Sequence, residues 1–234
     1  RTTDYGPRTT DLTHHMDGFL LIDKPSGITS HDAVDAVRRV ARTRRVGHAG
    51  TLDPFATGLL IVGINKATKK LGDLAGLDKT YEAAARLGAT STTDDPEGVV
   101  SFRKPANQPD QTEVESVFQQ FRGSYLQTAP AYSAKKVGGK KLYELARAGR
   151  AHEVVLPKKT VTITELVILD YAWPDVRFRV SCSSGTYIRA LARDIGETLG
   201  VGAYLTELRR TKIGAYDVID AVLLRDLTDA NIHE

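Results

Sequence analysis

The sequence predicts an α+β protein in which helices pack on a mixed, mostly antiparallel sheet. Predicted strands and helices follow each other without the regular strand–helix–strand period of a doubly wound parallel sheet. Several strand segments also alternate apolar and polar residues, which is typical of strands in an antiparallel sheet. The 234 residues, 41% of them hydrophobic, are enough to bury a substantial core.

The predicted fold begins with a strand, a turn and a helix. Residues 18–23 (GFLLID) form a short apolar strand, and Pro25 in the following KPSG segment fixes the φ angle of a turn. Thr29 and Asp32 have the spacing of a capping box, and apolar residues recur on one helical face through residue 41. We therefore predict a helix that ends in an arginine-rich segment.

Four further elements follow in the middle of the chain. Residues 59–64 (LLIVGI) are predicted to form a buried strand, and residues 66–76 a short helix. Residues 79–88 alternate apolar with polar or small side chains, which indicates a half-buried strand. Residues 111–121 (QTEVESVFQQF) are predicted to be helical.

Two adjacent strands and a helix complete the prediction. Residues 161–170 and 176–184 have strand patterns, and in the second segment Cys182 shares a face with three apolar residues. Cys182 is therefore expected in the core. Residues 186–200 place apolar side chains along one helical face. Because no internal repeat or linker is evident, residues 16–234 are predicted to be one domain.

Composition points to a soluble cytoplasmic protein. A single cysteine excludes an internal disulfide and a multi-cysteine zinc site, as expected in a reducing compartment. No apolar run has the length of a membrane span, and no signal-peptide pattern is present. The only methionine is Met16, so residues 1–15 are interpreted as an added leader or, alternatively, as a native disordered arm.

Positive charge is concentrated in two segments, although the net charge is only +3. Residues 38–45 (RRVARTRR) contain five arginines and no acid, and residues 135–150 contain six basic residues and one acid, Glu144. Either segment alone fits a solvated face with scattered charge. Together they favour a polyanion such as nucleic acid as the partner.

The segment GHAGTLDPFATGL (47–59) is the candidate for chemistry. It is too rich in glycine and polar residues for a core strand or a helix, and Pro54 favours an extended conformation at Asp53. A stiff loop that carries one carboxylate suits a nucleophile, a base or an electrostatic stabiliser, whereas the alternative is a simple Asp-Pro turn. Phosphate-loop and HExxH patterns are lacking, so we expect carboxylate chemistry with no cofactor and no metal.

Five ordered motifs carry a resemblance to a known family. They are GFLLIDKPSGITSHDAV, RRVGHAGTLDPFATGLL, KTYEAAARLG, APAYSAKKVGGKKLYELARAG, and SSGTYIRALARDIG with LRRTKIG. In these motifs the chain resembles bacterial tRNA pseudouridine synthases of the TruB type, collinearly from about Gly18 to Tyr216. The resemblance implies the family's mixed sheet with an RNA-binding cleft. It also implies conversion of uridine 55 in the T-arm of tRNA to pseudouridine.

By this resemblance Asp53 is the catalytic aspartate. It would attack the sugar or assist glycal formation while the N-glycosidic bond breaks, and the sequence leaves both routes open. A glycosidase commonly needs two carboxylates, but an isomerase that retains its uracil excludes water, so one carboxylate can suffice. Asp94 and Asp95, the obvious candidates for a second one, are interpreted as turn residues in TTDDPEG.

Two further residues match the family's catalytic set. Tyr81 is similar to the active-site tyrosine that stacks on the target base and takes part in removing the C5 proton; the alternative is a tyrosine in the strand core. Arg189 is similar to the arginine that pairs with the catalytic aspartate and would keep Asp53 ionised and aimed. The alternative for Arg189 is a surface position in the first turn of a helix, which the helix dipole disfavours.

Four residues match the family's substrate-binding positions. Tyr187 resembles a pocket wall, and Leu208 resembles an apolar residue that closes on the base; either residue could instead serve ordinary packing. His48 resembles the residue that fills the space left by flipped nucleotides, with an ordinary loop histidine as the alternative. Lys24 looks like the lysine that shapes the pocket near Tyr81, and its alternative is a solvated lysine in a turn.

Residues 128–150 correspond to the family's insertion that closes over the T-arm. Its lysines would contact phosphates, which position RNA without specifying its sequence. These lysines are Lys135, Lys136, Lys140 and Lys141. Recognition is then expected to depend on loop shape and splayed bases.

The sequence departs from the family at two places. Many members carry a lysine where this chain has Ser184, so one phosphate contact is not expected here. Many members also continue into a small C-terminal RNA-binding PUA domain; we expect this domain to be absent here and the grip on the acceptor arm to be weaker. Activity on a T-arm stem-loop is expected to survive.

Two other functions fit parts of the sequence. An RNA-binding or tRNA-folding module without catalysis would be favoured if Asp53, Tyr81 or Arg189 were replaced, and all three are present. A nucleoside hydrolase would release free uracil, and the missing second carboxylate counts against it. As partners we expect tRNA, no membrane and no second protein, with the chain acting as a monomer.

Overall fold

The structure is a computed structural model that describes residues 17–105, 107–133, 136–137, 140–148, 150 and 154–228. The interpretation of residues 1–15 as a leader or arm, and the proposed phosphate contact of Lys135, lie outside these ranges. Each helix within these described ranges is too short or too polar to span a bilayer.

The described chain contains fourteen strands and five α-helices. The strands are β1 (Gly18–Lys24), β2 (Val46–His48), β3 (Thr57–Ile64), β4 (Lys79–Leu87), β5 (Ala89–Ser91), β6 (Val100–Phe102), β7 (Gly123–Thr128), β8 (Lys136–Val137), β9 (Lys140–Lys141), β10 (Lys158–Ala172), β11 (Asp175–Cys182), β12 (Ala203–Ile213), β13 (Tyr216–Asp217) and β14 (Val222–Leu223). The helices are α1 (Ser30–Ala41), α2 (Leu71–Gly76), α3 (Gln111–Gln120), α4 (Leu142–Arg147) and α5 (Ile188–Thr198).

Ten of the strands form one mixed sheet, which confirms the predicted fold class. The strand order is β14-β1-β3-β12-β4-β11-β10-β7, with β2 paired to β3 and β13 paired to β12. Only the pairs β1–β14 and β3–β12 are parallel among these described strands, and the other pairs are antiparallel. The small hairpins β5–β6 and β8–β9 lie outside the main sheet.

The local signals in the sequence form the elements that they predict, with one exception. Thr29 and Asp32 make the predicted capping box of α1, and Cys182 is buried as expected. The single helix predicted over 66–76 is wrong in detail, because a 3₁₀ helix over Asn65–Lys70 precedes α2. Strand β12, which lies at the centre of the sheet, was not predicted.

The helices α1, α3 and α5 cover one face of the sheet. Apolar residues of α1 pack with β1 and β3, while α3 and α5 pack with β4, β11 and β12 in the largest cluster. Leu52, Ala56 and Tyr81 belong to that largest cluster, so the Asp53 loop and the predicted active-site tyrosine share this face.

The opposite face of the sheet carries charged side chains that pair with one another. Arg209 of β12 forms two hydrogen bonds with Asp23 of β1, at 2.9 and 2.7 Å, and Arg179 of β11 pairs with Glu165 of β10 at 3.1 Å. These residues line an open concavity of about 940 Å³. Asp53 is not among its lining residues, so the concavity is separate from the predicted catalytic loop.

Candidate active site

The loop that carries Asp53 connects β2 to β3 and is held along its whole backbone. The backbone carbonyls of six consecutive residues, 50 through 55, each accept a hydrogen bond. Since a buried carbonyl without a partner is costly, this set of acceptors fixes the path of the loop. The predicted stiffness of the loop therefore has a structural basis.

Arg210 of β12 holds the first part of the loop. Its guanidinium donates to the carbonyls of Gly50 (3.1 Å), Thr51 (3.4 Å) and Leu59 (2.7 Å). The side chain is fully buried, with 1% of its surface exposed. Gly58 makes this arrangement possible, because it has φ +100° and a Cβ there would lie 2.2 Å from the Arg210 carbonyl oxygen. This role of Arg210 was not predicted from the sequence.

Ser30 and Lys24 hold the second part of the loop. The Ser30 hydroxyl accepts from the Leu52 backbone N–H at 2.8 Å and lies 3.1 Å from its carbonyl oxygen. The Lys24 ammonium donates to the carbonyls of Pro25, Ile28 and Pro54, and the residue is completely buried. The alternative of a solvated turn lysine is therefore wrong, and the Lys24 ammonium holds the Asp53 loop through the Pro54 carbonyl.

Burial lowers the pKa of Lys24 from 10.5 to about 8, although the charge of Asp53 acts in the opposite direction. At a pH between about 8 and 10.5, Lys24 is therefore more protonated in the unfolded chain than in the folded chain. The measured quantity is the difference between the free energy of unfolding of the parent and that of Lys24→Met. We expect this difference to rise by at most about 3 kcal/mol as the pH increases through this window. Urea unfolding of both proteins at pH 7.5 and about pH 10.5 measures the change, and a constant difference would contradict it.

Arg189 pairs with Asp53 through two parallel hydrogen bonds. Nε donates to one carboxylate oxygen at 2.9 Å, and a terminal nitrogen donates to the other at 3.1 Å. The Arg189 side chain is 5% exposed, whereas the Asp53 side chain keeps 33% of its surface accessible. The surface alternative for Arg189 is thus wrong. A bidentate pair of this kind fixes the direction of the carboxylate while its outer side remains open to a ligand.

Arg189 also contacts a second carboxylate, that of Asp95, at 3.3 Å. Asp95 does lie in a turn, as predicted, but it is buried and accepts hydrogen bonds from the Thr93 hydroxyl and the Glu97 backbone. Burial raises the pKa of the Asp95 carboxyl, and the Thr93 hydrogen bond and Arg189 counteract the rise. The interpretation of Asp95 as a turn residue alone missed its place in the site.

Arg193 repeats this arrangement one helical turn further along α5. It donates to the Asp94 carboxylate at 3.0 Å and to the Thr128 carbonyl at 3.0 Å. Arg189 likewise donates to the Tyr132 carbonyl at 3.1 Å. Two arginines of one helix therefore connect the turn around Asp94 with the start of the predicted RNA-clamping segment. Their four-residue spacing is a signal from which sequence reasoning could have identified Arg193.

Tyr81 and Leu208 lie on the face of the sheet that carries the Asp53 loop. Tyr81 pairs across the strands with Arg210, and Leu208 pairs with Ala83; both side chains are 7% exposed within the largest core cluster. Burial raises the pKa of the Tyr81 hydroxyl, and the positive charge of Arg210 acts against the rise. The catalytic role of Tyr81 and the base-closing role of Leu208 stay predictions.

Tyr187 directly precedes the helix that carries Arg189, and His48 directly precedes the Asp53 loop. The side-chain amide of buried Gln127 accepts from the Tyr187 N–H at 2.9 Å and donates to its carbonyl at 3.0 Å, which fixes the residue that precedes α5. His48 ends β2 and is half-buried, and burial lowers its pKa. The binding roles of Tyr187 and His48 stay predictions.

Three of the four predicted phosphate-contacting lysines lie in described parts of the clamp. Lys136 pairs with Lys141, and Val137 pairs with Lys140, in the short β8–β9 hairpin that precedes α4. The backbone thus places three lysines on one hairpin. Their contacts to phosphate stay predictions.

The anchoring role of Arg210 leads to a stability prediction. We expect Arg210→Lys to lower the free energy of unfolding by about 2 kcal/mol, because a point-like ammonium cannot reach three divergent carbonyls and leaves at least one unsatisfied. The single-turnover rate should fall as well. Arg209→Lys is the matched control, since Arg209 contacts Asp23 on the opposite face. Equal effects of the two substitutions on the rate would contradict the anchoring role.

Sequence comparisons with known proteins show which family this chain resembles along its length. The model of the TruB family pseudouridylate synthase N-terminal domain matches residues 38–188, and the model of the tRNA pseudouridylate synthase B C-terminal domain matches residues 189–234. The chain is 51% identical to tRNA pseudouridine synthase B of Thermobifida fusca, covering 90% of this chain and 74% of the relative. It is 46% identical to that of Burkholderia lata, covering 96% and 74%.

Solved structures with a similar fold include chains of two complexes. A chain of a Cbf5-Nop10-Gar1 complex superposes with a TM-score of 0.72 at 30% identity, over 92% of this chain and 55% of that one. A chain of an H/ACA RNP bound to a substrate RNA containing 2′-deoxyuridine gives 0.69 at 28% identity, over 92% and 54%. This chain thus spans just over half the length of those solved chains.

The fold and the site define a pseudouridine synthase. More particularly, the chain belongs to the TruB family of pseudouridylate synthases.

Proposed function

We propose that this protein converts uridine 55 in the T-arm of tRNA to pseudouridine. The observation that carries the proposal is the partly open Asp53 carboxylate, held by Arg189 on a loop whose backbone is fixed residue by residue. The relatives from Thermobifida fusca and Burkholderia lata are both named tRNA pseudouridine synthase B, which supports tRNA as the substrate.

The reaction is an isomerisation in which no atom is lost from the nucleoside apart from exchanged protons. The bond between N1 of uracil and C1′ of ribose breaks, the uracil turns within the pocket, and C5 forms a new bond to C1′. The C5 proton leaves and N1 gains a proton. Asp53 either attacks the sugar or assists glycal formation, and either role requires an anionic oxygen directed at the sugar.

The surrounding residues supply positioning and exclusion of water. Arg189 aims the Asp53 carboxylate, and Tyr81 stacks on the base and takes part in removal of the C5 proton. Leu208 and Tyr187 close the pocket with apolar surface, which keeps water from the cleaved sugar. Lys24 shapes the pocket from beneath, and no cofactor or metal is required for any of these steps.

The RNA is held by shape and charge. His48 fills the space left by nucleotides that leave the stack, and this offsets part of the few kcal/mol that flipping costs. The lysines of residues 128–150 contact T-arm phosphates after the segment closes. The protein acts as a cytoplasmic monomer whose catalytic domain is residues 16–234.

Chemical mapping of the product tests the proposal. A tRNA transcript is incubated with the protein, and pseudouridine is located by carbodiimide modification and primer extension. We expect one new stop, at position 55, and no stop in a transcript with cytidine at that position. Free uracil in the supernatant would indicate a hydrolase. Tight binding without a stop would indicate an RNA-binding module without catalysis.

A further inference from the structure

Gln127 carries a buried amide at the edge of the main sheet. It is the penultimate residue of β7, the last strand in the sheet order, and only 2% of its surface is exposed. Burying an amide is costly unless hydrogen bonds satisfy its donor and its acceptor. The partners of this amide therefore show why a polar side chain is buried at this position.

Both polar atoms of the amide bond the backbone of one distant residue, Tyr187. Oε1 accepts from the Tyr187 N–H at 2.9 Å, and Nε2 donates to the Tyr187 carbonyl at 3.0 Å. Nε2 also donates to the Tyr125 hydroxyl. Because a side-chain amide presents a donor and an acceptor side by side, neither a carboxylate nor an apolar side chain of the same length can make this pair of bonds.

Tyr187 is the residue from which α5 begins. Its backbone is extended, its side chain does not cap the helix, and its carbonyl accepts the first helical hydrogen bond, from Leu191 at 3.0 Å. The Gln127 amide thus holds the peptide groups on both sides of Tyr187, and this sets the direction of the first turn of α5. Arg189 lies in that turn, two residues after Tyr187.

Arg189 transmits this position to the catalytic carboxylate. Its buried guanidinium donates to both oxygens of Asp53. The terminal nitrogen that donates to Asp53 also donates to the Tyr132 carbonyl at 3.1 Å. Since a guanidinium is planar and its donors point in fixed directions, a shift at the start of α5 turns the Asp53 carboxylate with it.

We propose that Gln127 is a positioning residue for pseudouridine formation, acting through Tyr187 and Arg189 on Asp53. The reaction itself rests on the proposed function. With its side chain buried, Gln127 does not contact the RNA. It fixes the start of α5, from which Arg189 aims the carboxylate and Tyr187 bounds the pocket. Loss of the amide should therefore slow the chemical step and leave RNA binding unchanged.

The test is a double-substitution cycle on the single-turnover rate. Gln127→Met keeps the length of the side chain and removes its donor and acceptor. It is made in the parent and in Arg189→Lys, in which an ammonium cannot form the bidentate pair with Asp53. Tyr171→Phe is the matched control, since it removes a hydrogen bond to a distant backbone carbonyl, that of Pro109, without a change of charge. The rate at saturating T-arm stem-loop and the Kd are measured well below the unfolding midpoint of each protein.

We expect Gln127→Met to lower the single-turnover rate by about 10- to 100-fold, because a displacement of about 1 Å at the reacting groups can cost this much. The Kd for the stem-loop should stay within about twofold of the parent value, as for an interaction that matters only in the transition state. In the Arg189→Lys background the same substitution should cost less than about threefold, since residues that act as a unit are not additive. Tyr171→Phe should keep the parent rate.

Four results would overturn the proposal: an unchanged rate, weaker RNA binding in place of a slower rate, an equal loss of rate in the control, or an undiminished effect in the Arg189→Lys background. A merely structural role of Gln127 predicts the last of these, because independent effects add. If Gln127→Met does not fold, Gln127→Asn takes its place in each comparison, since the shorter amide stays polar but cannot reach the Tyr187 backbone.

Failure of this proposal is distinguishable from failure of the proposed function. A parent that forms no pseudouridine in the stem-loop would overturn both. An active parent with any of the four contrary results would overturn the role of Gln127 alone.

Discussion

Asp53→Asn is expected to abolish pseudouridine formation, with kcat lowered by about 10⁴-fold or more, the size of effect seen when a nucleophile is removed. Asparagine has the same shape as aspartate but cannot supply an anionic oxygen to the sugar. The hydrogen bonds that hold the loop involve backbone carbonyls, so its path should survive the substitution. Single-turnover kinetics on a T-arm stem-loop measures the rate.

The substitution should leave RNA binding intact. We expect the Kd for tRNA to stay within about threefold of the parent value, since one open carboxylate contributes little to binding a polyanion. Asp78→Asn, at an exposed position, is the matched control and should retain full activity. A variant at Asp53 that keeps more than about one hundredth of the parent rate would remove this residue from the centre of the chemistry.

Arg189→Met is expected to lower the free energy of unfolding by about 3 to 5 kcal/mol, because it leaves a buried carboxylate without its partner. Asp95, with 4% of its side chain exposed, loses an ion pair, and Asp53 loses both of its hydrogen bonds to the guanidinium. Activity should also fall by at least about 10²-fold, because the catalytic carboxylate is no longer aimed.

A second substitution separates the two effects. In Arg189→Met with Asp95→Asn, the uncompensated buried charge is removed, so we expect recovery of about 1 to 2 kcal/mol relative to the sum of the single changes. Activity should not recover, because Asp53 is still without Arg189. Urea unfolding of the four proteins of this cycle gives the coupling energy. Strict additivity would show that Arg189 and Asp95 do not interact in solution.

The sequence predicted the elements in which local pattern and packing agree. The capping box at Thr29 and the alternation of β4 formed as expected, and the motif around Asp53 identified the loop. The partner of Asp53 was also predicted, because Arg189 matches a family motif. Arg189 lies 136 residues after Asp53 in the chain, so residue spacing alone could not have connected these two residues.

Strand β12 was not predicted because its pattern is interrupted. Register irregularities between Leu205 and Glu207 and between Arg210 and Lys212 break the two-residue alternation, so buried and exposed positions fall out of phase. A charged residue in the core also opposes the usual rules of burial. Arg210 is nevertheless buried, since two loop carbonyls and the Leu59 carbonyl of β3 satisfy its guanidinium, and no local pattern encodes such distant partners.

Tritium release tests the central claim most directly. A tRNA transcript labelled with tritium at C5 of its uridines is incubated with the protein until release stops. We predict one equivalent of tritium in water per tRNA and none from a transcript with cytidine at position 55, with all uracil still attached to RNA. No release from a tRNA that is tightly bound, or release of free uracil, would contradict the account.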